Sequence, residues 1–164
     1  MQIWTISTAQ SLFLSIALWF IFQYGSARLS LLIPERFLSP NNLFLKPSSF
    51  EKHSNFYHKI LKIKKWKHLL PDGATVWKDK SFTKRYLQSK SPLYLNQYTI
   101  ETVRGEIAHW AAIFPFWVFG FFLKPYIVWI MFLYALIVNL PCILVLRYNR
   151  MRILRLLEPF KERS

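Results

Sequence analysis

The segment from Glu101 to Trp110, which reads ETVRGEIAHW, holds the residues best suited to chemistry. Glu106 and His109 are three residues apart, so on a helix they are neighbours on one face. A carboxylate beside an imidazole fixes the tautomer of the ring and raises its basicity, as a general base needs when it takes a proton from a hydroxyl. The same pair also fits a capping carboxylate and a histidine that mark a helix end, and the pattern favours neither interpretation.

A second candidate base is His68, which stands four residues before Asp72 in the string HLLPDG. The pattern H-x-x-x-D-G resembles the catalytic motif of large soluble acyltransferases, in which the histidine is the base and the aspartate a structural support. This chain is too small for that fold, so the likeness reflects convergence or chance. The simpler interpretation is a turn after a helix, in which Asp72 and Gly73 only shape the backbone.

Three apolar runs are long enough to hold these residues in or near a membrane. Residues 126–146 reach the roughly 20 apolar residues that a spanning helix needs, and residues 107–123 suffice with tilt or local thinning of the bilayer. Lys124 and Pro125 lie between these runs, which predicts a tight helical hairpin whose second helix starts near Pro125. Residues 3–24 lack the basic start of a signal peptide, which favours an uncleaved spanning helix over a cleaved signal.

Two residues interrupt the apolar character of the last run. Pro141 frees the backbone carbonyl of Ile137, because proline has no N–H to donate. Asn139 has the groups to satisfy exposed backbone or to pair with another helix. Packing is the favoured role for both residues.

The composition indicates the same class of protein. Hydrophobic residues make up 53% of the 164 residues and the mean hydropathy is +0.19, which excludes intrinsic disorder. The 22 Lys and Arg against 8 Asp and Glu give a net charge of +14. A small, apolar, aromatic and basic chain is typical of a membrane protein with a basic cytoplasmic face. Because the membrane explains these features better than nucleic acid does, no nucleic-acid partner is expected.

Several familiar catalytic and metal-binding motifs are absent from the sequence. It has no Gly-rich phosphate loop, no H-E-x-x-H metalloprotease motif and no G-x-S-x-G nucleophile elbow. The single cysteine, Cys142, allows neither an internal disulfide nor a cysteine pair for zinc. One Glu-x-x-His also falls short of a di-iron site, so no metal site is predicted.

The distribution of positive charge predicts the orientation of the chain. Residues 25–104 and the tail 147–164 carry all of the Lys and Arg residues except Lys124. The positive-inside rule places both segments in the cytoplasm, and three crossings put them on the same side. The predicted fold is therefore mainly α, with about three transmembrane helices in a single membrane domain over residues 1–164.

Within the basic segment, residues 50–70 are predicted to form an amphipathic helix at the membrane interface. Its apolar residues fall on one side at helical spacing: Phe56, Ile60, Ile63 and Leu70. Lysines and Trp66 suit the surface of an anionic leaflet, although the helix also fits packing on the protein itself. Residues 29–49 read as irregular chain, and residues 74–100 fit either short strands or a further helix.

Four blocks of the sequence together resemble one known family. They are Phe50–Lys59, Lys64–Gly73, Glu101–Trp110 and Ala135–Arg150. Their order and spacing are similar to those of the glycosyl-4,4'-diaponeurosporenoate acyltransferase family. Its members are small bacterial membrane enzymes that esterify the sugar of a C30 carotenoid with a fatty acid in staphyloxanthin-type pigment synthesis. The resemblance covers residues from about 30 to 155 and is weaker near residues 74–100 and 114–130.

The resemblance implies an O-acyltransferase in a bacterial cell membrane, which moves a fatty acyl group onto a sugar hydroxyl of a glycosylated carotenoid. The acceptor's apolar tail would lie among the spanning helices and its sugar at the interface. His109, oriented by Glu106, would remove the hydroxyl proton. His68 with Asp72 is the rival base.

The resemblance also implies a donor and partners. The donor would be acyl-CoA or acyl carrier protein, both anionic and cytoplasmic, and no other cofactor is implied. Arginines would hold the donor's phosphates or an oxyanion. The candidate substrate-binding residues are Arg104, Trp110, Trp66, Arg147, Asn149 and Arg150. The expected partners are the lipid bilayer and other enzymes of the pigment pathway.

Two alternatives to this function stay open on the sequence. The first is a non-catalytic, basic membrane-anchored subunit that binds anionic lipid or partner helices. The second is an acyltransferase that acts on a different glycolipid without a carotenoid. The amphipathic pattern at residues 50–70 is the only sequence support for the first alternative.

Overall fold

The computed structural model describes residues 4, 6–39, 51, 56–70 and 87–161, and the fold is mainly α, as predicted. Three long helices dominate these residues: α1 (Thr8–Ser30), α2 (Pro92–Ile113) and α3 (Pro125–Lys161). The shorter elements are 3-10 helices at Glu35–Phe37, Lys67–Leu69 and Phe114–Phe121, a π-helical turn at Phe56–Ile60 and a short α-helix at Ile63–Trp66. No strand occurs within the described ranges.

Helix α1 begins later than the predicted start at residue 3, because a capping box fixes its first turn. The Ser7 hydroxyl accepts a hydrogen bond from the backbone N–H of Gln10 at 3.3 Å. The Gln10 side chain in turn accepts from the Ser7 backbone N–H at 3.0 Å. These two bonds satisfy N–H groups that have no partner within the helix. Helix α1 then continues past residue 24 to Ser30, with Arg28 in its last turn.

The predicted helix over residues 107–123 has the wrong boundaries. Helix α2 begins much earlier, at Pro92, and ends at Ile113, and a 3-10 helix follows over Phe114–Phe121. Pro115 explains this change, because its ring opposes continuation of the α-helix and it has no N–H to donate. Of the described helices, α1 and α3 are long and apolar enough to cross a membrane. The third predicted span is not confirmed.

Helix α3 starts at Pro125, as the sequence predicts, but does not end at residue 146. It continues to Lys161, so most of the predicted basic tail, residues 147–164, is helical. At about 1.5 Å per residue, its 37 residues extend well beyond a hydrocarbon core about 30 Å thick. The apolar part of α3 is long enough to span by itself, and the remainder carries buried residues of a second core.

Two compact units make up the chain. The first comprises residues 1–33 and 105–143 and is called here the apolar unit. The second comprises residues 34–104 and 144–164 and is called the basic unit. Helices α2 and α3 each contribute residues to both units.

The core of the apolar unit is largely aromatic. Phe119, Phe122 and Leu123 are buried, and Leu18, Trp19 and other α1 residues pack against them. A second cluster consists of Ile113, Ala135 and Ile143. Large apolar side chains on α1 and α3 nevertheless stay exposed, among them Phe13, Phe20, Trp129, Leu133 and Ile137. Such exposure is typical of helices whose outer faces contact lipid.

The predicted amphipathic helix over residues 50–70 is wrong as a single helix. A π-helical turn, a four-residue α-helix and a 3-10 helix occupy Phe56–Leu69. Lys62 lies between the first two with φ 47°, a left-handed conformation that a continuous right-handed helix does not contain. Ile63 is buried against Tyr148 and Met151 within the basic unit, whereas Ile60 is 66% exposed. The membrane-surface role of this segment stays a prediction.

Replacing Lys62 with glycine is expected to stabilise the basic unit. The left-handed conformation costs a residue with a Cβ about 1–2 kcal/mol, and glycine avoids most of that cost. We expect the free energy of unfolding to rise by about 0.5–1 kcal/mol after the entropy of glycine in the unfolded chain is subtracted.

Thermal unfolding of the purified protein in mild detergent measures this effect. Lys64→Gly is the matched control, because Lys64 is exposed within the right-handed helix Ile63–Trp66. Its melting temperature should fall, since glycine costs about 1 kcal/mol inside a helix. A fall for both variants would contradict the account of Lys62.

Candidate functional site

A histidine and two amide side chains form a polar group inside the apolar unit. The Nδ1 atom of His109, on α2, lies 2.9 Å from Oδ1 of Asn139, on α3. Gln23 of α1 donates through Nε2 to the same oxygen at 3.2 Å. Asn139 is fully buried, and its Nδ2 donates to the backbone carbonyl of Ala135 at 3.0 Å. One amide therefore joins side chains from all three long helices.

These contacts determine which nitrogen of His109 carries the proton. The Ala135 carbonyl is only an acceptor, so the atom of Asn139 that faces it is the NH₂ nitrogen. The atom of Asn139 that faces His109 is therefore the amide oxygen, which is also only an acceptor. Nδ1 must donate to it, so in the neutral imidazole the lone pair is on Nε2. That atom has the electron pair that a general base uses.

Glu106 lies on the same face of α2, one turn before His109, as the spacing predicts. Its side chain is fully buried. The interpretation of Glu106 as a capping carboxylate is wrong, because α2 runs from Pro92 to Ile113 and Glu106 lies inside it. A buried carboxylate in an apolar unit is costly and is therefore a functional candidate. That Glu106 orients the imidazole stays a prediction.

Apolar side chains surround the polar group. Ala135 and Ile143 lie one turn on either side of Asn139 along α3, and both are buried with Ile113. Trp19 packs against this cluster, and its Nε1 is buried with no hydrogen-bond partner among the described residues. Trp110, a predicted substrate-binding residue, follows His109 and is 43% exposed.

The other predicted site residues belong to the basic unit. His68 is exposed in the 3-10 helix Lys67–Leu69, and Asp72, its predicted support, lies outside the described residues. Trp66 donates through Nε1 to the Leu61 carbonyl at 2.8 Å, so its polar atom already has a structural partner. Asn149 lines a small pocket.

The three arginines predicted to hold phosphates differ in their surroundings. Arg104 is largely buried and forms an ion pair with Glu101 at 3.0 Å. Arg150 is completely buried. Arg147 forms a bidentate ion pair with Glu51, in which Nε donates to Oε1 at 3.0 Å and Nη2 donates to Oε2 at 2.9 Å. Because Glu51 neutralises its charge, Arg147 is less suited to an anionic ligand than the sequence indicated.

Tyr57 completes the ion pair of Arg147. Its hydroxyl donates to Oε1 of Glu51 at 2.5 Å, and the side chain is buried beside Tyr148. Burial, followed by the hydrogen bond to Glu51, raises the pKa of Tyr57 well above its usual range. The hydroxyl therefore keeps its proton and goes on donating to the carboxylate. Tyr57, Glu51 and Arg147 form a structural cluster of the basic unit.

Replacing Glu51 with glutamine is expected to destabilise the basic unit. The change removes the negative charge from a largely buried guanidinium and weakens two charge-assisted hydrogen bonds. We expect a loss of about 1–3 kcal/mol in the free energy of unfolding, measured by thermal or denaturant unfolding in detergent. Glu35→Gln is the control, because Glu35 is exposed and contacts only the neutral amide of Gln97 in the described contacts. Equal stability of both variants would show that the ion pair is dispensable.

Together these features define the class of the protein. Two helices of spanning length and composition, exposed apolar faces and a basic unit indicate a small, helical membrane protein. Its apolar unit contains an imidazole whose Nδ1 is held by a buried amide, so the lone pair of the neutral ring is on Nε2. Proton transfer from a hydroxyl is the chemistry that this arrangement suits.

Comparison with known proteins identifies the family. The family model for glycosyl-4,4'-diaponeurosporenoate acyltransferase matches residues 40–159. Proteins of that name from Staphylococcus aureus strains bovine RF122 / ET3-1, MRSA252 and USA300 are each 35% identical to this chain over 147 residues. The match covers 89% of this chain and 87% of each relative. The chain belongs to the glycosyl-4,4'-diaponeurosporenoate acyltransferase family. No solved structure matches it.

Proposed function

We propose that the protein transfers a fatty acyl group from a cytoplasmic thioester to a sugar hydroxyl of a glycosylated C30 carotenoid. Family membership supports the class of reaction and of acceptor. The single structural observation that supports the mechanism is the contact between Nδ1 of His109 and Oδ1 of Asn139, which places the lone pair of the neutral ring on Nε2.

The proposed reaction balances without any other cofactor. Nε2 of His109 removes the proton of the sugar hydroxyl while its oxygen attacks the thioester carbonyl. The tetrahedral intermediate then collapses, the carbon–sulfur bond breaks, and the imidazolium returns the proton to the leaving thiolate. The products are a sugar ester and a free thiol. Acyl-CoA and acyl carrier protein both supply such a thioester.

Glu106 has a supporting role in this mechanism. Its buried carboxylate lies one turn from His109, where a negative charge favours the imidazolium that forms during proton transfer. Of the three arginines, Arg150 stays our candidate for holding the donor's phosphates, because Glu101 and Glu51 neutralise Arg104 and Arg147. Exposed apolar residues on α1 and α3 supply surface for the bilayer and for the carotenoid tail.

Reconstitution tests the proposed function directly. The full-length protein is placed in nanodiscs with glycosyl-4,4'-diaponeurosporenoate and radiolabelled acyl-CoA, or in parallel with acyl carrier protein. A labelled sugar ester, identified by mass spectrometry, is the expected product. Absence of ester with both donors would contradict the proposal.

Lipid analysis of a strain that lacks the gene separates the remaining alternatives. Accumulation of the unesterified glycosyl carotenoid supports the proposed acceptor. Accumulation of a different unacylated glycolipid would identify an acyltransferase with another acceptor. Unaltered lipids, together with stable co-purification with another membrane protein, would indicate a non-catalytic subunit.

A further inference from the structure

A small pocket in the basic unit brings two cations together. Lys67 and Arg152 line it with Asn149 and the side chains of Tyr98 and Leu156. Its volume is about 70 Å³. One water molecule needs only about 10–15 Å³, so the pocket has room for a larger polar group. None of its lining residues is acidic, and in the described part of the chain neither Lys67 nor Arg152 has a carboxylate partner.

One aromatic ring holds both cations in place. The Lys67 ammonium nitrogen lies 5.7 Å from the centre of the Tyr148 ring, and Cζ of the Arg152 guanidinium lies 5.8 Å from it. Tyr148 is itself buried in the core of the basic unit, so the ring is a fixed support. Contacts of this kind orient a cation without neutralising it.

The electrostatics of Lys67 and Arg152 favour the binding of an anion between them. Burial, and then the positive charges of Arg152 and Lys64, lower the pKa of Lys67. The two like charges repel each other, because the Lys67 ammonium and the exposed Arg152 guanidinium both lie beside the Tyr148 ring. An anion between them would remove this repulsion and gain two charge-assisted hydrogen bonds.

We propose that this pocket binds a phosphate ester, with the Lys67 ammonium and the Arg152 guanidinium as its charged ligands. The planar guanidinium offers two parallel N–H donors, the ammonium offers a point charge, and the Asn149 amide adds a neutral donor. Two molecules carry this group to a membrane enzyme: the phosphorylated acyl donor and an anionic lipid headgroup. The assignment to the donor rests on the proposed acyl transfer, whereas the phosphate chemistry does not.

Coenzyme A binding tests the pocket without turnover. The full-length protein is assayed in phosphatidylcholine nanodiscs by equilibrium binding of radiolabelled coenzyme A. Lys67→Met and Arg152→Met should each weaken binding by about tenfold or more, since each removes a charge-assisted bond. Lys65→Met and Arg155→Met are the matched controls, because they remove the same charge from exposed positions outside the pocket. Their effects should stay below about threefold.

A second set of nanodiscs distinguishes the two sources of phosphate. It contains phosphatidylglycerol, and the rise in melting temperature over phosphatidylcholine nanodiscs is measured for each variant. Loss of coenzyme A binding in the two pocket variants alone assigns the pocket to the donor. Loss of the lipid-dependent stabilisation in the pocket variants alone assigns it to a headgroup. Pocket variants that match the controls in both assays would overturn the proposal.

If a pocket variant fails to fold, a measurement on the unmodified protein still tests the proposal. Inorganic pyrophosphate should raise its melting temperature more than sodium chloride does at equal ionic strength, because a ligand of the folded state stabilises it. Equal effects of the two salts would also overturn the proposal. Since none of these three assays requires ester formation, failure of the pocket proposal and failure of the proposed reaction give separate results.

Discussion

Replacing His109 with alanine is expected to lower kcat for ester formation by about 10²–10⁴-fold, the usual contribution of a general base. The substitution removes Nε2, the ring nitrogen that carries the lone pair when Nδ1 donates to Asn139. Substrate binding should change little, so KM for the acyl donor should stay close to that of the unmodified protein. Steady-state kinetics in nanodiscs measure both parameters.

His68→Ala is the matched control for this experiment, because it removes an exposed imidazole from the basic unit. We expect His68→Ala to retain most of its activity. If His68→Ala abolishes ester formation while His109→Ala does not, the base is His68 and our assignment is wrong. Melting temperatures of both variants must be compared, so that a folding defect is not read as lost catalysis.

Replacing Asn139 with leucine is expected to lower kcat by about 10–100-fold, by analogy with the residues that orient metal-binding histidines. Leucine is similar in size but offers no acceptor, so Nδ1 of His109 loses its partner and the ring its fixed tautomer. KM should change little, because Asn139 is buried and positions the base rather than the substrate. Kinetics at saturating and limiting acceptor separate the two parameters.

Two further variants separate positioning from general damage. Asn139→Asp keeps an oxygen acceptor opposite Nδ1 and should retain much more activity than Asn139→Leu. Gln23→Leu removes only the second donor to that oxygen, at 3.2 Å, and should have a smaller effect than Asn139→Leu. A lower melting temperature for Asn139→Leu with unchanged kcat per folded molecule would limit Asn139 to a structural role.

The sequence patterns predict the presence of the long helices better than the residues at which these helices begin and end. Pro125 marked the start of α3 because a proline is favourable in the first helical turn. The apolar run 107–123 concealed a change from α-helix to 3-10 helix, since an all-apolar stretch shows no periodicity that separates the two. The positive charges of residues 147–161 conceal the continuation of α3 to Lys161, although the apolar residues there recur at helical spacing.

The candidate site was only partly accessible from sequence. Glu106 and His109 were found because they are close along one helix. The sequence does not reveal the partner of His109, because Asn139 lies on another helix and 30 residues away. A lone amide in an apolar run indicates that it needs a polar partner, but not which one. The pairing of Glu51 with Arg147, 96 residues apart, is hidden for the same reason.

Each of the two units consists of two segments that are separate in sequence. The units therefore become complete at different times during synthesis. The apolar unit comprises residues 1–33 and 105–143, so a nascent chain that has reached residue 143 already contains all of it. The basic unit is different, because Leu95 and Tyr98 pack against Ile153 and Leu157, which the ribosome adds after residue 143. A premature stop after residue 143 would therefore leave these earlier residues without their core and expose them to quality-control proteases.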